Sequence, residues 1–203
     1  MTLADHTSLA LAPARVTVRT ATPADHPQIR GVLRAAYGQF ALTLPPEVFR
    51  PYQADLLDLE THARHGTLVV AEARGRIQGS GAFYCDTHAQ GFGWPPGWSG
   101  GRGLAVRPAA RGHGVARALL GECERMAITV GAPVFAFHTA TFMAAAVQLY
   151  EHLGYQRAPD YDVDLAEHYG IRGLAPIPLL AYRRDLVGPR PTHTHTHTHW
   201  STR

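Results

Sequence analysis

Lysine is absent from the 203-residue chain, and all 19 basic side chains are arginine. A phosphate loop of the GxxxxGK[ST] kind is therefore excluded, because its lysine must reach the phosphates. The net charge of +3 and the high isoelectric point reflect arginine usage. No block of about five like charges occurs and the arginines are scattered among acids, so no nucleic-acid partner is expected. No apolar stretch approaches the roughly 18 residues of a spanning helix, so no membrane partner is expected either. Cysteine is scarce: Cys85 and Cys123 stand alone. They form neither a disulfide framework nor a metal site, no metal is expected, and a cytoplasmic location is the default. The opening MTLADHTSLALAPAR lacks a basic n-region and carries Asp5, which argues for a loose arm and against a signal peptide.

Apolar residues make up 45 % of the chain, enough for one domain with a sizeable core. The expected division is a flexible arm over 1–14, a single domain over 15–186 and a disordered Thr/His-rich tail over 187–203. That tail contains THTHTHTH at 192–199, whose alternation places its four histidines on one side of an extended chain.

The best-defined stretch is Gly103 to Leu120, GLAVRPAARGHGVARALL. A short apolar run is followed by a basic, glycine-bearing turn and then an apolar-periodic segment, the order strand, loop, helix. Gly112 and Gly114 leave backbone N–H groups uncovered at the positive end of the helix dipole, so the turn reads as an anion cradle. The helix predicted from Arg111 carries Val115, Leu119, Cys123 and Met126 at helical spacing and ends at Gly131, which makes Cys123 a core residue. Around it, strands are predicted over Val16–Arg19, Thr67–Ala73 and Ile77–Phe83, the last two joined by an Arg74-Gly75 turn. A further strand is predicted over Val134–His138, one over Gln156–Asp164 and one over Leu179–Arg183. Helices are predicted after a Thr22-Pro23-Ala24-Asp25 start, over Tyr52–His65 and over Phe142–Leu153. Pro45-Pro46 is expected to stop any helix, and Asp86–Gly101, rich in glycine with Trp94 and Trp98, to be a long loop.

Arg111-Gly112-His113-Gly114-Val115-Ala116 fits an Arg/Gln-x-x-Gly-x-Gly/Ala signature, and Leu149 to Tyr155 (LYEHLGY) fits a Leu-Tyr-x-x-x-Gly-Phe ending at the expected distance. In both motifs the chain resembles the GNAT family of N-acetyltransferases. The resemblance implies an α/β fold: a mixed, twisted sheet of six to seven strands with helices on both faces and parted fourth and fifth strands. It implies acetyl-CoA as cosubstrate, a small-molecule or peptide amine as acceptor, and leaves room for a homodimer. Direct attack of the amine in a ternary complex is the implied reaction. A catalytically weak acyl-CoA-binding sensor or structural protein of the same fold is the alternative.

By the same resemblance, Leu104, Ala105 and Val106 hold the pantetheine arm. Arg111, Gly112, His113, Gly114, Val115 and Ala116 hold the pyrophosphate, chiefly through backbone N–H groups, with Arg107 and Arg117 weaker candidates for charge contacts. Tyr150 corresponds to the family's general acid, since a phenol is protonated at neutral pH and can donate to a departing thiolate. Glu72 and His138 are the candidate bases, with a water relay as the alternative. Met143 stands where the family often has asparagine, and Thr139 or Thr141 could substitute. Tyr37, Phe40, Phe49 and Tyr52 are candidates for the acceptor side or for packing, and Asp160 and Asp162 for holding a cationic acceptor.

Overall fold

Arg74 and Gly75 both have positive φ, 52° and 68°, the conformation that closes a two-residue hairpin. They join β2 (Thr67–Ala73) to β3 (Arg76–Tyr84), and from this hairpin the sheet grows both ways. The computed structural model describes residues 15–186; the 1–14 arm and the Thr/His tail lie outside them. β1 (Thr17–Thr20) pairs antiparallel with β2, and β4 (Ser99–Val106) pairs antiparallel with β3. β5 (Val134–Ala140) is parallel to β4, and β8 (Pro178–Asp185) is antiparallel to β5. Two short strands, β6 (Gln156–Arg157) and β7 (Val163–Asp164), both pair with β8. The order β1-β2-β3-β4-β5-β8-β6, with β7 beside the path, is the mixed sheet implied by the motifs.

Helices cover both faces. On one, α1 (His26–Tyr37) and α3 (Leu59–His65) pack Ile29, Val32 and Leu59 against Val70 and Ile77. On the other, α4 (Val115–Thr129) and α5 (Ala144–His152) pack Val115, Leu119, Cys123 and Tyr150 against Phe135 and Phe137. Cys123 lies in this core as its stripe position predicts, and burial pushes its thiol up to about 12. A third cluster joins α2 (Pro46–Leu57) and α6 (Leu165–His168) to β5 and β8.

The sheet corrects several boundaries. Pro46 starts α2 instead of stopping a helix, because the first helical position needs no N–H donor. Pro51 then sits inside that helix. β4 begins at Ser99, inside the presumed loop. A Cβ on Gly100 would lie 2.8 Å from the Ala136 carbonyl and 2.7 Å from Thr87 Oγ1, so glycine is what lets β5 come alongside. The strand expected over Gln156–Asp164 is broken into β6 and β7 by a 3-10 turn at Pro159–Tyr161. α5 starts at Ala144, with Phe142 and Met143 ahead of it.

Candidate functional site

β4 and β5 pair only at Ser99–Phe135 and Gly100–Ala136. Beyond those pairs the strands part, and a cavity of about 690 Å³ opens between them. A bulge in β4 helps to part them. Between the pairs Ala82–Arg102 and Ser80–Ala105, Gly103 and Leu104 stand against the single Gly81. Gly103 has φ 63°, a left-handed conformation that glycine adopts without strain. The Tyr37 hydroxyl donates to the Leu104 carbonyl at 3.0 Å and ties α1 to the bulge.

At one end of the cavity the chain leaves β4 and enters α4. Gly112 and Gly114 have φ of 77° and 78°, and Gly114 caps the helix. The Ala118 N–H bonds to the Gly114 carbonyl at 2.9 Å, which leaves the N–H groups of Val115, Ala116 and Arg117 at the open helix end. Arg111, Gly112, Gly114, Val115, Ala116 and Arg117 all line the cavity, as do Leu104 and Val106 on the strand. The uncovered amides, the helix dipole and two arginines make this end fit a pyrophosphate, and the strand walls fit an extended arm.

Tyr150 reaches the same cavity from α5. Its ring packs 4.4 Å from Phe137, centroid to centroid, and burial pushes its hydroxyl well above the usual phenol range. Among the described residues that hydroxyl has no hydrogen-bond partner. His138 also lines the cavity, with Trp94 at 4.4 Å and Phe92 at 5.5 Å from its ring. Its Nε2 lies 2.8 Å from the Tyr161 carbonyl. A carbonyl only accepts, so Nε2 carries the proton and Nδ1 the free lone pair. Burial lowers the ring to about 4, so it is neutral at pH 7.

The far end is aromatic. Tyr37, Phe40, Tyr52, Trp94, Phe142 and Tyr169 line it, and the guanidinium of Arg102 stands among them. Arg102 Nη2 is paired with the Asp55 carboxylate, and the Tyr169 hydroxyl donates to the same carboxylate oxygen at 2.7 Å. The Phe92 ring lies 4.6 Å from the guanidinium carbon. Arg102, Tyr169 and Phe92 come from separate stretches of the chain, and no local spacing ties them together.

Several candidates lie elsewhere. Glu72 does not line the cavity: it faces β1, where Arg19 Nε and Nη2 bond it at 3.1 and 3.0 Å. Arg107 turns back to the Ile77 carbonyl at 2.9 Å. Ala105 is buried on the α1 face of the sheet, and the exposed His113 ring bonds the Arg111 carbonyl at 2.8 Å. Asp162 pairs with Arg157, and neither it nor Asp160 lines the cavity. Phe49 and Trp98 are also outside it. Of the two threonines, Thr139 lines the cavity, with its hydroxyl 3.8 Å from the Met143 sulfur, whereas Thr141 is exposed.

Among the described residues, no cluster of three or more potential metal ligands occurs. None of their helices is long and apolar enough to cross a membrane. The sequence model of the acetyltransferase (GNAT) family matches residues 32–155. A GNAT-family protein from Desulfovibrio desulfuricans has a similar fold, with a TM-score of 0.62 and 21 % identity over 85 % of this chain and 100 % of that one. A Salmonella typhimurium protein solved with its cofactor acetyl-CoA matches at TM-score 0.55 and 18 % identity, over 87 % and 96 %. A GNAT-family acetyltransferase from Brucella melitensis, also in complex with acetyl-CoA, matches at TM-score 0.51 and 23 % identity, over 70 % and 84 %.

Proposed function

The chain belongs to the acetyltransferase (GNAT) family and is an acetyl-CoA-dependent acetyltransferase; for its site we propose a primary amine of a small molecule or peptide as acceptor, Tyr150 as general acid and His138 as the group that receives the amine proton. The observation that carries this reading is one cavity lined by an amide-bearing anion cradle, by Tyr150 and by a group of aromatic side chains.

Acetyl-CoA supplies an acetyl thioester, whose carbon–sulfur bond breaks as the amine forms its nitrogen–carbon bond. The cradle from Arg111 to Arg117 holds the pyrophosphate, excepting the His113 side chain, and Leu104 and Val106 flank the pantetheine arm. Tyr150 stays protonated across the working pH range because burial disfavours its phenolate, so its O–H is present to hydrogen-bond the departing sulfur and to protonate it as negative charge develops there. His138 Nδ1 accepts from the incoming amine. With its pKa near 4 the ring does not retain that proton, which passes on to water. The aromatic chamber excludes bulk water from the attacking nitrogen. Mass spectrometry of reaction mixtures tests the reading: an amine gaining one acetyl group supports it. Tight acetyl-CoA binding with no acetylated amine from any acceptor class would contradict it.

A further inference from the structure

The lining of the cavity carries charge of one sign. Among the described residues no aspartate or glutamate lines it, its lining cations are Arg102, Arg111 and Arg117, and Asp55, the partner of Arg102, stands behind the lining. Arg111 and Arg117 belong to the anion cradle. Arg102 stands at the opposite end, on the far side of the bulge from Val106, and the cradle does not account for it.

Arg102 is also incompletely used. Its side chain is 18 % exposed, so most of its hydration is gone. Asp55 and Tyr169 both engage Nη2 alone. Nε and Nη1 have no protein partner among the described residues. The pair with Asp55 and the Phe92 ring hold the guanidinium in place. A fixed, largely dehydrated guanidinium with free donors on a cavity wall suits a carboxylate, whose two oxygens match its fork. The same cavity is lined by Tyr37, Tyr52, Trp94 and Phe142, which suit an apolar or aromatic body. A polycation, by contrast, meets an arginine here, and the acid beside it, Asp55, is already paired with that arginine.

Resting on the acetyltransferase reading, we propose that the acceptor is an α-amino acid with an aromatic or large apolar side chain, its carboxylate bound by Arg102, and that polycationic amines are rejected.

The test compares three acceptors at saturating acetyl-CoA: L-phenylalanine, phenethylamine (the same molecule without its carboxylate) and spermidine. The expected kcat/KM for L-phenylalanine exceeds that for phenethylamine by about 10- to 100-fold, the worth of a charged hydrogen-bonded contact. Spermidine is the poorest of the three. In Arg102→Gln the ratio of L-phenylalanine to phenethylamine falls toward one, and in Arg102→Lys, which keeps the charge and loses the fork, it lies between. The wild-type ratio stands by itself if a variant fails to fold. Equal or better use of phenethylamine or spermidine overturns the proposal while leaving acetyl transfer intact. If none is acetylated, calorimetric titration of each acceptor into the protein with coenzyme A decides separately. Selective binding of L-phenylalanine supports the carboxylate site although the transfer reading fails, and anything else overturns the site too.

Discussion

Tyr150 and His138 sit on the same cavity wall but differ in what burial does to them. For the phenol, burial favours the protonated acid; for the imidazole, it favours the neutral base, with a pKa of about 4. Neither changes state between pH 6 and 9. The rate should therefore follow the acceptor: kcat/KM should rise about tenfold per pH unit until the amine's own pKa and show no inflection near 6.5. A pH–rate profile with two amines of different pKa checks this, because the upper inflection must move with the amine. His138→Ala should lower kcat by about 10- to 100-fold while leaving acetyl-CoA affinity within about twofold. Tyr150 could be found in the sequence because it sits inside a motif. His138 could be found only as a strand-end histidine. Glu72 looked equivalent to it, since a strand-end acid does not reveal which neighbour it will face. Pairing of β1 with β2 brings Arg19 to Glu72 and removes it from the chemistry. Arg102 carried no signal at all: its importance depends on Asp55 and Tyr169, far from it in the chain.

At the scale of elements, the bulge that helps to part the strands depends on one glycine. Gly103→Ala would place a Cβ 3.5 Å from Leu56 Cδ2, so there is room for the methyl group. The strain lies in φ 63°, which costs an L-residue about 1–2 kcal/mol. The expected result is a lower melting temperature by several degrees and a larger proportional loss of kcat/KM, because the bulge that sets Leu104 and Arg102 shifts. Thermal unfolding and kinetics on one preparation check it; full activity at a lowered melting temperature would detach the bulge from the site. The hairpin and α4 were legible because turn chemistry and helical periodicity are local. The start of β4 was not. Its glycines read as loop, whereas Gly100 is required by the approach of β5, a contact made across some 35 residues of chain. The double proline was ambiguous for a related reason: proline ends one helix and begins another equally well.

Over the whole molecule, buried and half-buried histidines set the acid limit. His62, His138 and His168 are all lowered from 6.5, chiefly by burial. Below that value the unfolded chain takes up protons that the folded chain refuses, so stability is lost as pH falls from about 6.5 toward 4. For His138 alone the loss by pH 4 is about 3 kcal/mol. Asp25 adds a second, lower window. Arg19 and the Thr22 N–H hold its carboxyl well below the usual range, a stabilisation kept above pH 4 and lost below it. Denaturant melts at pH 7.5, 6.5, 5.5 and 4.5 should show a plateau above 6.5 and a decline beneath, with His138→Gln flattening part of the decline. No decline until below pH 4 would mean that the histidines are not buried as described.

The two motifs that made the cradle and Tyr150 readable lie on opposite sides of the gap between β4 and β5, and their cooperation is the core of the proposed chemistry. The most direct measurement is the initial rate of coenzyme A thiol release, with and without amine, in the wild type and Tyr150→Phe side by side. Amine-dependent release that saturates in acetyl-CoA is predicted, with kcat about 10- to 100-fold lower in the variant and acetyl-CoA affinity within about twofold. Release that ignores the amine, or a variant as fast as the wild type at every pH, would contradict it.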